Sequence, residues 1–330
     1  MVPTRVDWTP LEQMLQRCHQ VVLTSHIRPD CDALGSELAM AALLRRLGKQ
    51  VRIVNAQATP PNLAFIDPQG QIQVLDEHVP RQQVLQAELL MVLDTSAWAQ
   101  LGAMAEVIRS FGGAKAVIDH HQSSDDLGAV EFRDTAAEAT GRLVFEACRH
   151  FGLEPDAQMA RALFAALATD TGWFRFRSTN PGTFQVAAQL QQAGAVPQEI
   201  YTQLYEQDTL ARLQLRGRIL ARAQTELGGR VIHSAVFCRD FEETGAHRAD
   251  TEDAINLTLV VAGVQVAMIL IELSPGEFKL SLRSRCHVDC SQVAARFGGG
   301  GHKAAAGALL KGDYATLKQQ VLDAVAQAMQ

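Results

Sequence analysis

The first 194 residues alternate between short apolar runs and segments with helical spacing. The apolar runs lie at 21–25, 51–54, 89–93 and 115–118, and helices are predicted at 34–47, 80–87, 98–111, 137–151 and 157–168. Strands separated by helices imply a parallel sheet with helices on both faces. The alternation therefore predicts an α/β domain over 1–194. In such sheets, ligands bind beyond the carboxyl ends of the strands.

Acidic and histidine residues collect at the ends of these predicted elements. The candidates are His26, Asp30 and Asp32 after the first run, Asp94 after the third, Asp119, His120 and His121 after the fourth, and Asp170 after a helix. Ionised carboxylates placed together are costly unless cations neutralise them. The set therefore predicts a metal site. Carboxylates and imidazoles without thiolates are typical of Mn²⁺, with Mg²⁺ or Co²⁺ as alternatives.

Some of these residues also have ordinary structural explanations. Asp32 could cap the helix that follows it, and Asp94 could cap a segment that starts near Ala97. A solitary carboxylate such as Asp94, central among the clusters, is nevertheless suited to bridge two cations. In extended chain, two adjacent imidazoles cannot point the same way. We expect one of His120 and His121 to bind metal and the other to face the substrate, with Asp119 orienting them.

The rest of the chain predicts a helical connector over 195–227 and a smaller α+β domain over 228–330. Strands are expected at 231–237, 265–273 and 278–283, with a hairpin turn at 274–277 and helices near 289–296 and 313–329. The uncharged stretch Leu257–Ile271 is shorter than the roughly 20 residues of a membrane span. It predicts two buried strands joined at a turn.

Net charge and cysteine usage narrow the range of partners. The net charge of −6 predicts that the surface has no extended track for long nucleic acid, because phosphate neutralisation supplies most of that affinity. The six cysteines show no C-x-x-C spacing, and the start Met1–Arg5 is polar. These features predict reduced thiols in a cytoplasmic protein that does not enter membranes.

The acidic motifs, taken with a distal glycine run, resemble one known family. His26-x-x-Pro29-Asp30-x-Asp32, Asp94-Thr95, Asp119-His120-His121 and Thr169–Gly172 are similar to the four motifs of the DHH phosphoesterase superfamily. Ser281–Ser284 and Gly298-Gly299-Gly300-Gly301-His302 resemble its DHHA1 substrate domain. The match covers nearly the whole chain, and the size of the chain is similar to that of proteins in the nanoRNase and pAp-phosphatase subgroup.

The resemblance implies a role for each matching position. One Mn²⁺ would be held by His26, Asp30 and Asp94, and a second by Asp32, Asp94, His120 and Asp170. His121, oriented by Asp119, would contact the scissile phosphate, and the DHHA1 lobe would close over the cleft. The implied substrate-binding residues are Arg283, Ser284, Arg285, Gly299, Gly300, Gly301 and His302. The implied activity is hydrolysis of short RNA and dinucleotides to 5′-mononucleotides, and of 3′-phosphoadenosine 5′-phosphate (pAp) to AMP.

Several alternatives remain open on the sequence alone. The same motifs serve cyclic di-AMP and pApA phosphodiesterases, whereas a RecJ-type exonuclease would carry more basic charge and a manganese pyrophosphatase lacks the glycine-histidine segment. A nucleotide-binding regulator with an inactive site is a further class. The glycine run can bring backbone N–H groups onto an anion, or it can be a flexible turn. A homodimer is neither required nor excluded.

Overall fold

The chain divides into two units, Met1–Gln207 and Asp208–Gln330, in a computed structural model that describes residues 5–330. The polar start predicted from Met1–Arg5 lies outside the described residues except for Arg5. The segment 195–227, predicted as a connector, is divided between the units. Its first helix buries Ile200 in the core of unit 1, and its second buries Leu215 and Ile219 in a core of unit 2.

Unit 1 is built on a six-stranded, wholly parallel sheet with the order β3-β2-β1-β4-β5-β6. Its strands are β1 Gln20–Thr24, β2 Gln50–Asn55, β3 Ile72–Val74, β4 Leu89–Leu93, β5 Ala114–Asp119 and β6 Val130–Arg133. Its helices are α1 Thr9–Gln16, α2 Cys31–Arg46, α3 Arg81–Leu85, α4 Met104–Ser110, α5 Thr140–His150, α6 Ala157–Asp170, α7 Pro181–Gln192 and α8 Pro197–Tyr205.

The strands of unit 1 bury both faces, which explains why they read as continuous apolar runs. Alternate residues of β4 enter different cores: Leu89, Met91 and Leu93 pack with α2, α5 and α6, whereas Leu90 and Val92 pack with α3 and α4. The predicted α/β class with helices on both faces is confirmed. Because the sheet is parallel, β1, β4 and β5 end at one edge.

Unit 2 contains a mixed six-stranded sheet with the order β11-β12-β10-β9-β8-β7. Only the β8–β9 pair is parallel. The strands are β7 Gln224–Glu226, β8 Val231–Val236, β9 Val266–Ser274, β10 Glu277–Ser284, β11 Gly300–His302 and β12 Ala305–Lys311. The helices are α9 Leu210–Ala221, α10 Cys238–Thr244, α11 Ala254–Thr258, α12 Cys290–Ala295 and α13 Tyr314–Ala328. The α+β class predicted for this region is confirmed, as is the hairpin turn between β9 and β10.

Three predictions about individual elements were wrong. Leu257–Ile271 does not form two strands: its start belongs to α11, and a turn at Gly263, where φ is 82°, precedes β9. The helix predicted over 98–111 is a short 3-10 turn, Trp98–Gln100, followed by α4. The connector predicted over 195–227 is not helical to its end: α9 ends at Ala221, and β7 follows. No helix within residues 5–330 combines the length and apolar character needed to cross a bilayer.

Candidate metal centre

The loop after β1 carries the first ligand candidates into the N-terminus of α2. Arg28 adopts φ 55°, a left-handed conformation, directly before Pro29. The Asp30 carboxylate accepts hydrogen bonds from Asp32 N and Ala33 N at 2.9 and 3.1 Å, so Asp30 caps α2. Asp32 therefore does not cap the helix. It lies in the first turn with its side chain 1% exposed.

Asp94 occupies a left-handed turn at the end of β4, with φ 63°. Its backbone N–H is fixed by the Ile118 carbonyl of β5 at 2.9 Å. Its two carboxylate oxygens face different histidines: Oδ2 lies 3.4 Å from His26 Nε2, and Oδ1 lies 3.6 Å from His120 Nε2. Ala97, not Asp94, precedes the 3-10 turn at its N-terminus. The cap explanation for Asp94 fails, and its carboxylate lies between the two histidines.

The two adjacent histidines have different hydrogen-bond partners, although their ring centroids lie only 4.6 Å apart. His120 Nδ1 lies 3.2 Å from the Ala137 carbonyl, which leaves Nε2 facing Asp94 and its neighbours. His121 Nδ1 lies 2.8 Å from Asp119 Oδ1, and the His121 ring is half-exposed. Asp119 is fully buried and accepts a second hydrogen bond from Ser96 Oγ at 2.6 Å. Asp119 therefore orients His121 but not His120, which corrects part of the prediction.

Asp170 is the last residue of α6, where the helix end carries it to the same edge of the sheet. Its Oδ2 atom lies 3.3 Å from His120 Nε2, and Asp32 Oδ2 lies 3.7 Å from that nitrogen. All six predicted metal residues thus come together. They form two groups, His26–Asp30–Asp94 and Asp32–His120–Asp170, each with donor atoms within 4.8 Å of one another. A further group, Asp94–His120–His121, overlaps both sides of the cluster.

The charges and burial of the carboxylates in this cluster are suited to binding cations. Burial, followed by the charge of Asp94, raises the pKa of Asp32 well above its ordinary value. Burial, followed by the charge of Asp30, does the same to the pKa of Asp94. Burial also raises the pKa of Asp170. Buried carboxylates that repel one another are poised to bind hard cations, because a cation removes both penalties. The oxygen and imidazole donors thus fit a metal centre.

Cys31 lies between the two acids of the first motif but belongs to none of the three groups of possible metal ligands found among residues 5–330. Its side chain is buried, and burial raises the pKa of the thiol to about 12. A thiolate is the form that binds metals. This supports the interpretation of Cys31 as a small spacer. All six cysteines are free thiols in this structure.

Sequence reasoning missed the residues that hold the carboxylates in place. Both Asp32 oxygens accept backbone N–H groups from the start of α5: Thr140 N at 2.7 Å and Gly141 N at 2.8 Å. The Thr140 hydroxyl donates to Asp94 Oδ1 at 2.9 Å. A helix N-terminus favours negative charge, so α5 partly compensates for the repulsion. No spacing in the sequence signals a support 108 residues from Asp32.

Behind His26 lies a buried polar network that sequence reasoning also missed. Glu37 on α2 is fully buried and accepts a hydrogen bond from Asn55 Nδ2 at 2.9 Å. Asn55 Oδ1 in turn accepts from the backbone N–H of Ser25 at 3.0 Å, next to His26. Burial raises the pKa of Glu37 to about 8. Glu37 is therefore a neutral structural acid near neutral pH.

In unit 2, strand register places two of the predicted substrate residues on one face. Arg283 of β10 is paired with Ala305 of β12, and Ala305 is paired with His302 of β11. Directly paired residues of antiparallel strands project to the same face, and adjacent strands lie about 4.8 Å apart. Arg283 and His302 therefore flank a shallow surface whose floor is the small side chain of Ala305.

The glycine run is divided: Gly300 and Gly301 belong to β11 of this sheet, whereas Gly298 and Gly299 lie in the turn before it. A Cβ at Gly299 would lie 2.1 Å from the Gly307 carbonyl oxygen, and one at Gly301 would lie 2.6 Å from the Ala305 carbonyl oxygen. The close approach that the glycines permit is thus between β11 and β12. Ser284 projects from the face opposite Arg283, and its Oγ accepts from Cys286 N at 3.2 Å. The Arg285 guanidinium donates to the Leu259 carbonyl at 2.7 Å.

Comparisons with known proteins agree with this arrangement. The model of the DHH family N-terminal domain matches residues 20–169, and that of the DHHA1 domain matches residues 228–330. A Thermus thermophilus protein named bifunctional oligoribonuclease and PAP phosphatase NrnA is 30% identical over 312 residues, which cover 94% of this chain and 90% of that protein.

Two further relatives extend the comparison. A Listeria monocytogenes protein named cyclic-di-AMP phosphodiesterase PdeA is 24% identical, and the match covers 98% of this chain but 50% of that protein. The crystal structure of an exopolyphosphatase-related protein from Bacteroides fragilis has a TM-score of 0.85 at 24% identity, with 99% of this chain and 97% of that chain covered; this likeness supports the fold. From the two domain matches and the Thermus relative, the chain belongs to the DHH family, with a C-terminal DHHA1 domain.

Proposed function

We propose that this protein is a Mn²⁺-dependent phosphoesterase that hydrolyses short oligoribonucleotides to 5′-mononucleotides and removes the 3′-phosphate of pAp. The observation that carries the proposal is Asp94, whose two oxygens face His26 on one side and His120 on the other. A carboxylate in that position suits a pair of cations. The name of the Thermus relative supports the choice of substrates.

Each side chain of the cluster has a defined task in this proposal. His26, Asp30 and Asp94 would hold one Mn²⁺, and Asp32, Asp94, His120 and Asp170 a second, with Mg²⁺ or Co²⁺ as substitutes. Such a pair of cations supplies an activated water and neutralises the charge that develops on a phosphate in hydrolysis. Thr140 and Gly141 keep Asp32 and Asp94 in place through their hydrogen bonds.

His121 would contact the scissile phosphate. The hydrogen bond with Asp119 raises the pKa of His121 and fixes its ring, which leaves Nε2 free to donate to a phosphate oxygen. A cavity of about 250 Å³ borders His121, His26, Asp30 and Asp94, and it offers space for a phosphate group. A positioned donor stabilises charge in the transition state at no reorganisation cost.

Recognition of the terminal nucleotide is assigned to unit 2. Arg283 and His302 would bind a phosphate across Ala305, with Arg285 and the glycines Gly299, Gly300 and Gly301 completing the substrate-binding set, whereas Ser284 projects from the opposite face. Neither arginine forms an ion pair with a carboxylate in the described part of the chain. Their charge is therefore available to a ligand, while the net charge of −6 disfavours long polyanions.

Substrate profiling with Mn²⁺ tests the proposal. The panel contains pApA, a 5′-phosphorylated trinucleotide, a 20-nucleotide RNA, pAp and cyclic di-AMP, the last because of the Listeria relative. We expect pApA and pAp to be hydrolysed much faster than the long RNA, and no hydrolysis in excess chelator. Equal rates on pApA and the long RNA would favour an exonuclease. A clear preference for cyclic di-AMP would make the protein a cyclic-dinucleotide phosphodiesterase.

A further inference from the structure

The turn after α6 has an unusual backbone that the metal centre does not explain. Trp173 and Phe174 are consecutive and both left-handed, with φ 58° and 63°. Bulky L-residues rarely adopt this conformation, and such outliers cluster at ligand-binding sites. Hydrogen bonds hold the turn: Trp173 N donates to the Ala168 carbonyl at 2.6 Å, and Phe174 N donates to Thr171 Oγ1 at 3.1 Å. The turn begins directly after Asp170.

The Phe176 ring lies against this turn. A Cβ at Gly172 would be 2.4 Å from Phe176 Cε1, so only glycine leaves room for the ring. Gly172 is two residues from Asp170, so the Phe176 ring packs on the turn that directly follows this ligand candidate. The Phe176 side chain is nevertheless 55% exposed. A large apolar ring, supported by backbone on one side and open to solvent on the other, is suited to stack on a planar ligand.

Further aromatic side chains support the turn. The Trp173 ring centroid lies 5.0 Å from that of Tyr201 and 5.7 Å from that of Tyr205. These rings thus pack around the turn that follows Asp170.

The residues next to Phe176 are cationic. Arg175 and Arg177 are both exposed, and Arg175 Nε donates to the Gly172 carbonyl at 2.7 Å. Neither guanidinium pairs with a carboxylate among residues 5–330. Exposed aromatic rings interleaved with arginines bind single-stranded nucleotides, because rings stack on bases while the cations neutralise the phosphodiester.

We infer that Phe176, flanked by Arg175 and Arg177, is a nucleobase-binding subsite of the metal-bearing unit. The ring stacks on the base of a nucleotide that adjoins the scissile phosphate. The occupant follows from position: the substrate whose phosphate reaches Asp170 must place a nucleoside next to it. This inference rests on the proposed function, since it requires a nucleotide substrate. It makes Phe176 a specificity-determining residue that touches substrate and takes no part in bond cleavage.

The test separates stacking from folding by removing the base. Wild type and Phe176→Ala are compared on pApA and on its two singly abasic analogues, which keep the same backbone. Stacking on one base is worth enough that kcat/KM for pApA should fall about 5-fold to 100-fold in Phe176→Ala. The analogue that lacks the stacked base should show no difference between the two proteins, and Phe176→Tyr should restore wild-type behaviour.

Phe184→Ala is the matched control. Phe184 is also 55% exposed, but its ring stacks on the Phe174 ring at 5.5 Å, whereas the Phe176 ring lies against Gly172. This variant should behave like wild type on all three substrates. Equal losses for Phe176→Ala on pApA and on both abasic analogues would overturn the inference. So would a change of oligomeric state with intact discrimination between base and no base, because the ring would then belong to an interface.

Binding without turnover distinguishes failure of this inference from failure of the proposed function. With Mn²⁺ present, AMP, a product that the proposed activity does not hydrolyse, should bind wild type more tightly than Phe176→Ala, whereas ribose 5-phosphate should bind both equally. If wild type hydrolyses no dinucleotide, the proposed function fails, and the binding comparison still judges the subsite. Equal AMP affinity for the two proteins would refute the subsite whatever the enzyme hydrolyses.

Discussion

The two candidate recognition regions of this protein are built on opposite principles. The metal edge of unit 1 is the edge of its sheet where the candidate metal ligands lie. Asp32 and Asp94 are buried there, with exposures of 1% and 2%, and their mutual repulsion is offset by hydrogen bonds from α5. The sheet face of unit 2 that carries Arg283 and His302 is open, with Ala305 and Gly307 as its floor. The first region costs free energy to form, and its side chains are held in place before a ligand binds. The second region is accessible to solvent, and its formation requires no strain.

This difference separates chemistry from recognition. Ligands that must share two cations require positions fixed to a fraction of an ångström, which buried carboxylates with several hydrogen bonds provide. A phosphate grip needs charge and access, and exposed side chains on a regular sheet suffice. Substitutions at the metal edge should therefore lower turnover or metal affinity, and substitutions in unit 2 should raise KM. Variants of Asp94, Thr140 and Arg283 test whether chemistry and recognition are separated in this way.

The largest effect is expected for Asp94→Asn. The amide keeps the shape of the side chain but removes the negative charge that, in the proposal, serves both cation positions. Several kcal/mol of transition-state stabilisation depend on such cations. We expect kcat on pApA to fall by at least about 1000-fold, with the folded state retained by circular dichroism. Asp126→Asn, an exposed acid that caps a turn, is the control. Near-normal turnover in saturating Mn²⁺ would show that Asp94 is no bridge.

Thr140→Val should weaken the metal centre without removing a ligand. The valine keeps the volume but loses the hydroxyl that donates to Asp94 Oδ1. Loss of a hydrogen bond behind a metal ligand typically costs about 10-fold to 100-fold in metal affinity. Calorimetric titration with Mn²⁺ measures this directly, and Thr140→Ser should restore the wild-type affinity. Unchanged affinity in Thr140→Val would mean that the backbone N–H groups of α5 alone position the acids.

Arg283→Ala tests the other half of the comparison. Loss of a charged hydrogen bond to phosphate should raise KM for pApA about 10-fold and leave kcat within about 2-fold. Hydrolysis of a generic aryl phosphodiester should change less. Lys279→Ala is the matched control, because Lys279 projects from the same face of β10 and is exposed. A fall in kcat with unchanged KM would mean that Arg283 acts in the chemical step, and the separation of chemistry from recognition would then be wrong.

The sequence could predict the metal edge because the fold leaves little choice there. In a parallel sheet, residues that follow β1, β4 and β5 must meet at one edge, so spacing alone assembles His26, Asp94 and His120. The choice between Asp30 and Asp32 as helix cap was not predictable. Both acids precede an amphipathic segment, and the difference arises when Asp32 is bound by Thr140 and Gly141 of another helix.

The errors in unit 2 have a common physical cause. Gly300 and Gly301 have low intrinsic strand propensity, so only pairing with β12 makes β11 a strand. The β-branched segment before Gly263 was read as a strand, yet Ile255 and Leu259 pack in a helical turn against α9 and β9. Tertiary contacts decide whether such segments form a helix or a strand. Strand periodicity succeeded where a whole strand is buried, as in β9.

The smallest effect concerns Glu37, a buried acid of the metal edge that is not a ligand candidate. Its pKa is about 8 in the folded protein against 4.5 unfolded, so between these values the unfolded chain binds fewer protons. Wild-type stability should therefore fall as pH rises through that window, by at most about 1.4 kcal/mol per pH unit from this group. Glu37→Gln does not titrate and still accepts from Asn55. In urea unfolding with chelator, its stability relative to wild type should rise from pH 5 to pH 8, whereas Glu131→Gln, at an exposed position, should show a constant difference. Parallel pH profiles for Glu37→Gln and wild type would mean that Glu37 is ionised in the folded protein, with its charge balanced inside the metal edge.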